Sequence, residues 1–440
     1  MAKLNRIAIE LSQKIRSRKA RVAIIGLGYV GLPMACELAR SGFTVVGIDT
    51  DSYRVRAIGK GRSFLKDIPS AVVQRLVRAK RLSASSSFTQ LATSDVIMIC
   101  VPTPLNKIQD PDLSYIVSAT TEIKKFIRKG QLIILESTTY PGTTDEVILP
   151  ELERDGLKVG RDFFLCFSPE RIDPGNPNFR TGNIPKVVGG VTEICRELGT
   201  RFYGLILKKV VPVSSTRAAE MTKLLENTFR IVNIGLINEL AIVAKALGID
   251  IWEVIEAART KPFGFMPFYP GPGVGGHCIG IDPVYLSWKA RHHGKTVQFV
   301  DLARLVNTQM PDYISDQVVY ILNERARKGI SGAKIMIVGV TYKADVADIR
   351  ESPALEIINR LGELGARVDY HDPYIHELKN GPRVWQSKVL TASALRSQDL
   401  VLLITNHKVL NYTLIARNSK IIFDTRNSFK NCRSKNIVKL

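Results

Sequence analysis

Short apolar runs recur along the first half of the chain, and stretches with helical spacing of apolar residues separate them. The runs that are typical of strands are Arg21–Ile25, Thr44–Ile48, Asp95–Val101, Leu132–Glu136 and Phe163–Phe167. Strands that alternate with helices predict a parallel, doubly wound α/β sheet, whose ligands bind beyond the carboxyl ends of the strands. Pro212 ends this pattern, so we predict that residues 21–212 form one domain.

The first two strands of this domain frame a glycine motif. Gly26, Gly28 and Gly31 follow the first strand in G-x-G-x-x-G spacing and open a helical stretch, and the second strand ends in Asp49. This context is typical of a Rossmann domain, in which the glycines let a pyrophosphate approach a helix N-terminus and the acidic residue accepts hydrogen bonds from the adenosine ribose. The sequence therefore predicts NAD rather than NADP. The alternative is that the glycines only permit close helix packing.

Hydroxyl and carboxylate side chains follow the later strands. Thr103, Thr138 and Glu170 each lie in a loop at the carboxyl end of a predicted strand, where the nicotinamide end of the cofactor should reach. Threonines in loops are most often turn or cap residues, and Glu170 either acts as a base or pairs with the adjacent Arg171. The residues alone leave these alternatives open.

A long helix is predicted from residue 215 to residue 247, because this stretch lacks proline and its apolar residues have helical spacing. Lys223 and Asn227 stand four residues apart and therefore share one face of it. A solvated surface lysine is the alternative to a functional one. We assign residues 213–328 to a central helical domain.

The glycine-rich segment Gly271–Pro283 contains one thiol, Cys278, and a carboxylate, Asp282, four residues later. Glycines allow positive φ and a close approach of the backbone to a ligand. A thiol in such a loop is a candidate nucleophile. A buried structural cysteine in a flexible turn is the alternative, and the segment alone does not decide between them.

After residue 328 the alternation of strands and helices begins again, with apolar runs at Lys334–Val340, Ala366–Tyr370, Leu400–Ile404 and Ile421–Asp424. These runs predict a second α/β domain over residues 329–440, without a G-x-G-x-x-G motif. The predicted fold is therefore two Rossmann-like doubly wound domains joined by a long central helix. Residues 1–20 form a basic arm, either an amphipathic helix or a loose segment, with no chemical role.

The composition adds a strong positive charge. With 62 Lys and Arg against 41 Asp and Glu, the formal net charge is +21, which favours anionic ligands such as nucleotides. The basic residues form no arginine-rich tract, so nucleic-acid binding is not predicted. The six cysteines and six histidines lack ligand spacing, so no metal site is predicted. No apolar run is long enough to span a bilayer, and a cytoplasmic protein is expected.

Seven ordered motifs make the chain resemble the UDP-glucose/GDP-mannose dehydrogenase family. They are GLGYVGLP at 26–33, VPTP at 101–104, EST at 136–138, SPER at 168–171, KLLENTFR at 223–230, GGHCIGID at 275–282 and TYKADVADIRESP at 341–353. The residues that lead into Cys278 are most similar to the branch that oxidises UDP-N-acetylglucosamine. Ile281 stands where the UDP-glucose enzymes have a lysine, which argues against UDP-glucose. Enzymes acting on UDP-N-acetylmannosamine are the alternative.

The resemblance implies a role for each candidate residue. It implies catalysis by Cys278, Lys223, Asn227, Asp282, Glu170 and Thr138, NAD contacts for Gly26, Gly28, Tyr29, Val30, Gly31, Asp49, Arg54, Thr103 and Arg350, and UDP-sugar contacts for Arg171, Arg259, Tyr269, Gly275, Tyr342, Lys343 and Arg426. The division of base duty between Asp282 and Glu170 stays open.

The implied reaction is a four-electron oxidation of the sugar C6 alcohol, in which Cys278 holds the aldehyde and then a thioester. The product serves surface polysaccharide synthesis. The resemblance also implies a homodimer formed through the central helices. A non-catalytic nucleotide-sugar sensor that kept the fold is the alternative from another functional class.

Overall fold

The computed structural model describes residues 4–65, 67–153, 156–172, 181–381, 383–432 and 434–440, apart from the side chains of Thr181, His277, Cys278 and Arg383. The chain divides into two compact units. The first comprises Met1–Glu226 with Val284–Lys295, and the second comprises Asn227–Pro283 with Thr296–Leu440. Each unit contains a largely parallel sheet with helices, which confirms the predicted α/β class.

The sheet of the first unit has eight strands among the described residues. They are β1 (Arg21–Ile25), β2 (Thr44–Ile48), β3 (Leu82–Ser85), β4 (Val96–Ile99), β5 (Leu132–Leu135), β6 (Phe164–Phe167), β7 (Lys186–Gly190) and β8 (Val210–Pro212). Their order is β3-β2-β1-β4-β5-β6-β7-β8, and each neighbouring pair is parallel except β6 and β7. The sequence pattern had predicted β1, β2, β4, β5 and β6, but not β3, β7 or β8.

Helices cover both faces of this sheet. They are α1 (Arg6–Arg16), α2 (Gly31–Arg40), α3 (Ser52–Gly59), α4 (Ser70–Arg78), α5 (Ser114–Phe126), α6 (Leu149–Glu153) and α7 (Glu193–Gly204). Successive strand residues point to opposite faces, so Val22 and Ile24 join one core with α2 and α7, whereas Ala23 and Ile25 join another with α5. This explains why the strands are apolar throughout instead of alternating.

The N-terminal segment is a helix rather than a loose arm. The Asn5 side chain accepts a hydrogen bond from the Ala8 N–H at 2.8 Å and caps α1. Ala8, Leu11 and Ile15 are buried in the same core as α7. Its helical spacing of apolar residues therefore serves packing against the first sheet.

The central part of the chain is helical. Its helices are α8 (Thr216–Ala246), α9 (Ile251–Arg259), α10 (His277–His292) and α11 (Gln298–Ile321). The bounds of α8 lie within one residue of the prediction. The predicted loop Gly271–Pro283 ends earlier than expected, because the positive φ of the segment stops at Gly276 and α10 begins at the next residue.

The sheet of the second unit repeats the plan of the first. It contains, in the described part of the chain, β9 (Lys334–Val338), β10 (Arg367–His371), β13 (Leu400–Leu403), β14 (Ile422–Asp424) and β15 (Ile437–Lys439), while β11 (Glu377–Asn380) and β12 (Arg383–Gln386) form an antiparallel hairpin. The five-stranded sheet is parallel in the order β10-β9-β13-β14-β15. Its helices are α12 (Pro353–Glu363), α13 (Ala392–Arg396) and α14 (Tyr412–Asn418).

The two faces of this second sheet also enter different cores. Ile335 and Ile337 pack with residues of α11 and α12, while Met336 and Val338 pack with residues of α13 and α14. Within the described residues, no helix has the length and apolar character needed to cross a lipid bilayer.

A buried carboxylate, Asp95, ties α1 to the first sheet. It lies just before β4 and binds the Lys14 ammonium at 2.9 Å, the Arg128 guanidinium at 3.0 Å and the Arg21 N–H at 3.1 Å. Burial acts to raise the pKa of Asp95, but these hydrogen bonds and charges outweigh burial, so its pKa is lowered. Asp95 therefore stabilises the fold as an anion.

We expect Asp95→Asn to lower the free energy of unfolding by about 2 kcal/mol near neutral pH, because it weakens three hydrogen bonds at once. A depressed folded pKa gives stability that is present above the unfolded value of about 3.9 and disappears as the pH falls through the folded value. The difference between variant and wild type should therefore shrink below about pH 4. Urea unfolding across pH measures it, with exposed Asp67→Asn as the control. A pH-independent difference would contradict this assignment.

Candidate active site

The three glycines where the chain passes from β1 into α2 have different structural roles. Gly26 has φ +92°, and a Cβ there would lie 2.5 Å from the Cys100 carbonyl oxygen. A Cβ on Gly31 would lie 1.8 Å from the Gly26 carbonyl oxygen, whereas a Cβ on Gly28 would have no atom within 4 Å. The chain's own packing therefore requires Gly26 and Gly31, and Gly28 borders open space at the helix N-terminus. That combination fits the pyrophosphate of a dinucleotide.

Asp49 follows β2 at the same edge of the sheet. Its buried carboxylate accepts the Leu27 N–H at 2.8 Å and the Asp51 N–H at 2.8 Å. Arg54 pairs with Asp49 at 3.2 Å and with Asp51 at 3.4 Å. The carboxylate is thus fixed where the adenosine ribose lies in a Rossmann domain, and Arg54 is held by the acidic residues of this edge. This geometry fits NAD.

The other predicted NAD residues of the first unit lie in loops at the carboxyl ends of strands. Tyr29 is exposed in the glycine loop, and Val30 is the N-cap of α2. Thr103 is buried in the loop after β4. Arg350 lies in the second unit, where Asp348 holds its guanidinium at 2.6 and 3.0 Å.

A buried ion cluster lies at the ends of β5 and β6. The Lys186 ammonium contacts a Glu136 carboxylate oxygen at 2.8 Å and a Glu170 carboxylate oxygen at 3.1 Å. Arg171 instead pairs with Glu226 at 2.6 Å and donates to the Pro185 carbonyl at 2.7 Å. Glu170 therefore does not depend on Arg171 for its charge partner. Thr138 lies two residues after Glu136, half-buried in the loop that follows β5.

Sequence reasoning missed Lys186 and gave Glu136 no role. The available signal was weak, because Lys186 begins an apolar run, KVVGG, and a lysine at the start of a strand is usually exposed. Only the pairing of β7 with β6 reveals that it faces inward.

Lys223 and Asn227 both lie on α8 and are both buried, with Lys223 only 8% exposed. The solvated-lysine alternative therefore does not hold. In the second unit, the Asn227 amide donates to the carboxylate of Asp282 on α10. Asp282 is 2% exposed, so the hydrogen bond fixes a buried carboxylate four residues after Cys278. Cys278 is the second residue of α10, and its side chain lies outside the described residues.

The segment before α10 is held at both ends. The Gly271 N–H donates to the Asn238 side-chain oxygen at 2.9 Å, and the Asn238 amide donates to Asn307 at 3.0 Å. At the other end the Gly276 N–H donates to the Arg350 carbonyl at 3.0 Å. Asn238 and Asn307 are buried, so this part of the backbone is fixed by groups shielded from water.

Several candidate UDP-sugar residues of the second unit surround this segment. A Cβ on Gly275 would lie 2.7 Å from the Tyr342 side chain, and a Cβ on Gly271 would lie 2.4 Å from the Arg426 guanidinium. Lys343 follows Tyr342, and its carbonyl accepts the Thr341 hydroxyl at 2.9 Å. Burial lowers the pKa of Arg426 to about 10, so it remains a cation at neutral pH. Only glycine permits these close approaches.

Arg259 and Tyr269 meet near α9. The Tyr269 hydroxyl donates to Glu256 at 2.8 Å, and Arg259 pairs with the same carboxylate at 3.2 Å. The Tyr269 ring stacks on Trp252 with centroids 6.1 Å apart. Within the described residues, no group of three or more His, Cys, Asp or Glu is placed to hold a metal ion.

Comparison with known protein families gives three matches in chain order. They are the UDP-glucose/GDP-mannose dehydrogenase family's NAD binding domain at residues 20–207, its central domain at 217–309 and its UDP binding domain at 336–431. Together they extend over both units and include each motif that carries the predicted site.

Individual relatives divide between two substrates. The chain is 39% identical to a UDP-N-acetyl-D-glucosamine 6-dehydrogenase of Pseudomonas aeruginosa, over 81% of this chain and 83% of that protein. It is 35% identical to a UDP-N-acetyl-D-mannosamine dehydrogenase of Methanocaldococcus jannaschii, over 92% of each. Among solved structures, the UDP-D-ManNAc dehydrogenase of Pyrococcus horikoshii superposes with a TM-score of 0.86 and 33% identity, over 95% of this chain and 98% of that one.

The glycine loop allows a matched pair of substitutions. Gly31→Ala should destabilise the protein by about 1–3 kcal/mol or more, because its methyl group collides with backbone. Gly28→Ala should leave stability nearly unchanged, because its methyl group enters open space. It should weaken NAD binding by about tenfold or more, because the methyl group occupies space that the cofactor needs. Urea unfolding and calorimetric titration with NAD measure the two effects. Unchanged NAD affinity in Gly28→Ala would place the pyrophosphate elsewhere.

Proposed function

Because this chain belongs to the UDP-glucose/GDP-mannose dehydrogenase family and is an NAD-dependent nucleotide-sugar dehydrogenase, we propose that it oxidises the C6 alcohol of UDP-N-acetylglucosamine to the uronic acid. The product would enter surface polysaccharide synthesis. The observation that supports the reaction type is a combination of two features in one chain. One is the dinucleotide cradle, and the other is a buried Asn227–Asp282 pair in which Asp282 lies four residues after the thiol of Cys278. The 39% identity to the Pseudomonas enzyme and Ile281 support the N-acetylglucosamine substrate.

Each unit would bind one nucleotide. In the first, Gly26, Gly28 and Gly31 would hold the NAD pyrophosphate, and Asp49 would accept the ribose hydroxyls. In the second, the cationic Arg426 and Lys343 suit the diphosphate of UDP. When bound, NAD accepts one hydride in each oxidation, so two molecules of NAD are consumed for each sugar.

The chain's own residues would handle the proton and the carbon. Asp282, oriented by Asn227, accepts the proton of the C6 alcohol in the first oxidation. The Cys278 thiolate then adds to the aldehyde carbon and forms a carbon–sulfur bond, and Lys223 stabilises the resulting oxyanion. The second oxidation converts this adduct into a thioester. A covalent adduct explains why a dehydrogenase needs a thiol, since it keeps the aldehyde bound between the two oxidations.

Hydrolysis would complete the reaction. A water molecule attacks the thioester carbon, the carbon–sulfur bond breaks, and the thiolate of Cys278 leaves. Thr138 and Glu170 would orient that water. We assign Asp282 to the alcohol proton and Glu170 to the water, because Asn227 contacts the first carboxylate and Lys186 the second.

The stoichiometry of the reaction tests this proposal. Purified protein with UDP-N-acetylglucosamine should form two NADH per sugar, measured by absorbance, with a kcat/KM at least about tenfold above that for UDP-N-acetylmannosamine. Cys278→Ser should abolish net four-electron turnover but keep NAD binding, and Cys432→Ser, at an exposed thiol, is the matched control. A higher kcat/KM for UDP-N-acetylmannosamine would select the alternative substrate. Binding of UDP-sugars without any NADH would instead indicate a sensor.

We also propose that the chain forms a homodimer through α8. One side of this helix exposes large apolar residues at helical spacing, namely Leu225, Phe229, Leu236, Leu240 and Val243. Exposed apolar stripes of this kind mark interaction surfaces, and the family resemblance names a second copy as the occupant. Analytical ultracentrifugation should give the mass of two chains, and Leu236→Glu with Leu240→Glu should give one. A monomeric wild type would exclude this interface.

A further inference from the structure

Lys186 is a buried lysine held between two carboxylates of the first unit. Its side chain is 5% exposed, and its ammonium lies 2.8 Å from Glu136 and 3.1 Å from Glu170. Lysine is almost never buried unless it is paired, because removing its charge from water costs several kcal/mol. Such a residue at the edge where a sheet binds its ligands is a candidate for a role in the reaction.

The topology of the sheet explains how Lys186 reaches this edge. β5 and β6 are parallel, so Glu136 and Glu170, which follow them, emerge at the same edge. β7 runs antiparallel to β6, with Phe167 opposite Gly189, so its first residue comes to the edge where β6 ends. Continuing that register brings Lys186 opposite Glu170. The single antiparallel pairing of this sheet, among the described strands, thus delivers the cation.

The remaining polar atoms of the cluster are also paired. The other Glu170 oxygen accepts the N–H groups of Arg171 and Ile172, both at 2.7 Å. The other Glu136 oxygen accepts the Tyr203 hydroxyl, and the Lys186 ammonium lies 5.5 Å from the centre of the Tyr203 ring. Glu170 is therefore fixed in orientation by three donors, of which Lys186 is the only charged one named.

The pKa values of the two carboxylates in this cluster are shifted in opposite directions. Burial acts to raise the pKa of Glu170, but Lys186 and the two N–H groups outweigh it, so the pKa of Glu170 is lowered. Burial raises the pKa of Glu136, and Lys186 only partly offsets that effect. Among the described residues, Cys100 and Tyr203 also face the cluster, and burial raises the pKa values of both, so they stay neutral. The Lys186 ammonium is thus the charge partner of both carboxylates, and Glu170 is the one whose pKa is lowered.

We infer that Lys186 is a positioning residue for hydrolysis of the thioester, because its ammonium joins the Glu170 carboxylate to the Glu136–Thr138 segment. The inference rests on the proposed function, in which Thr138 and Glu170 orient the attacking water. In that step the water oxygen bonds to the thioester carbon, the thiolate leaves, and one water proton passes through Glu170 to solvent. The Lys186 ammonium pairs with Glu136 and Glu170, so we expect its removal to act on the step assigned to Glu170.

Three variants separate positioning from simple support of the fold. Lys186→Arg keeps a cation between the carboxylates. Lys186→Met with Glu136→Gln removes the cation and one acid together, so the formal charge of the cluster is unchanged, while Glu170 loses its cation but keeps the N–H groups of Arg171 and Ile172. Lys208→Met, at an exposed lysine between α7 and β7's partner strand β8, is the matched control.

The experiment mixes the full-length enzyme rapidly with excess NAD and UDP-N-acetylglucosamine, and follows NADH. We expect the double variant to form two NADH per site in a first turnover at nearly the wild-type rate, and then to turn over on the order of 100-fold more slowly. Intact mass spectrometry should show the sugar bound covalently to most chains. The acid limb of its pH–rate profile should move to higher pH, because Glu170 loses its cation. Lys186→Arg should recover to within about tenfold of wild type.

Other outcomes overturn the inference. If the first turnover slows as much as the steady state, or if no covalent sugar accumulates, Lys186 supports the fold and not the hydrolysis. If the double variant turns over like Lys208→Met, Lys186 has no role in the step. The wild-type arm tests the proposed function separately: no NADH from wild type refutes that function and this inference together, whereas two NADH per sugar with unaffected variants refutes only the inference.

Discussion

Both sheets depend on one constraint at the edge where their parallel strands end. The N–H group of the turn after the first strand has no partner in the ladder, and a carboxylate after the neighbouring strand accepts it. Leu27 donates to Asp49 at 2.8 Å in the first unit, and Val340 donates to Asp372 at 2.7 Å in the second. Each turn also contains a glycine of positive φ, Gly26 or Gly339. A Cβ on either glycine would collide with a carbonyl oxygen in the loop that follows an adjacent strand of the sheet. The same turn, with a glycine of positive φ and a carboxylate that accepts a backbone N–H, therefore occurs in both units.

The carboxylate of this turn has different further partners in the two units. The Asp372 carboxylate also faces the buried His407 ring at 3.1 Å and accepts the Tyr374 N–H at 2.8 Å. The other ring nitrogen of His407 accepts the Asp345 N–H, so the proton lies on the nitrogen that faces Asp372. Asp372 is therefore committed to internal hydrogen bonds, which hold the loop that contains Lys343. The fold is repeated, but the second carboxylate organises a loop where the first fits a ribose.

Sequence patterns predicted what is local and missed what depends on distant pairing. Apolar runs located five strands of the first sheet, and the spacing of G-x-G-x-x-G with Asp49 predicted the cradle that the structure contains. β3 was missed because its residues, LSAS, carry little apolar signal, and β7 because its run, KVVGG, is short and ends in two glycines, which are depleted in strands. Lys186 was missed because a lysine at the start of a strand is usually exposed. Its burial follows from an antiparallel register that no local spacing encodes.

The residues of the proposed reaction would act at C6 of the sugar or on the bound nucleotides, and this would explain why two relatives of similar identity are named for two N-acetylated substrates. In the proposed reaction, the C2 epimers N-acetylglucosamine and N-acetylmannosamine would present the same alcohol to Asp282 and the same diphosphate to Arg426. Substitution of the reacting residues would slow both epimers alike. A preference of about 1–3 kcal/mol between them must come from neutral contacts with the C2 substituent. On this proposal, the residues that set the epimer could change while the cradle, the thiol segment and the Lys186 cluster stay fixed.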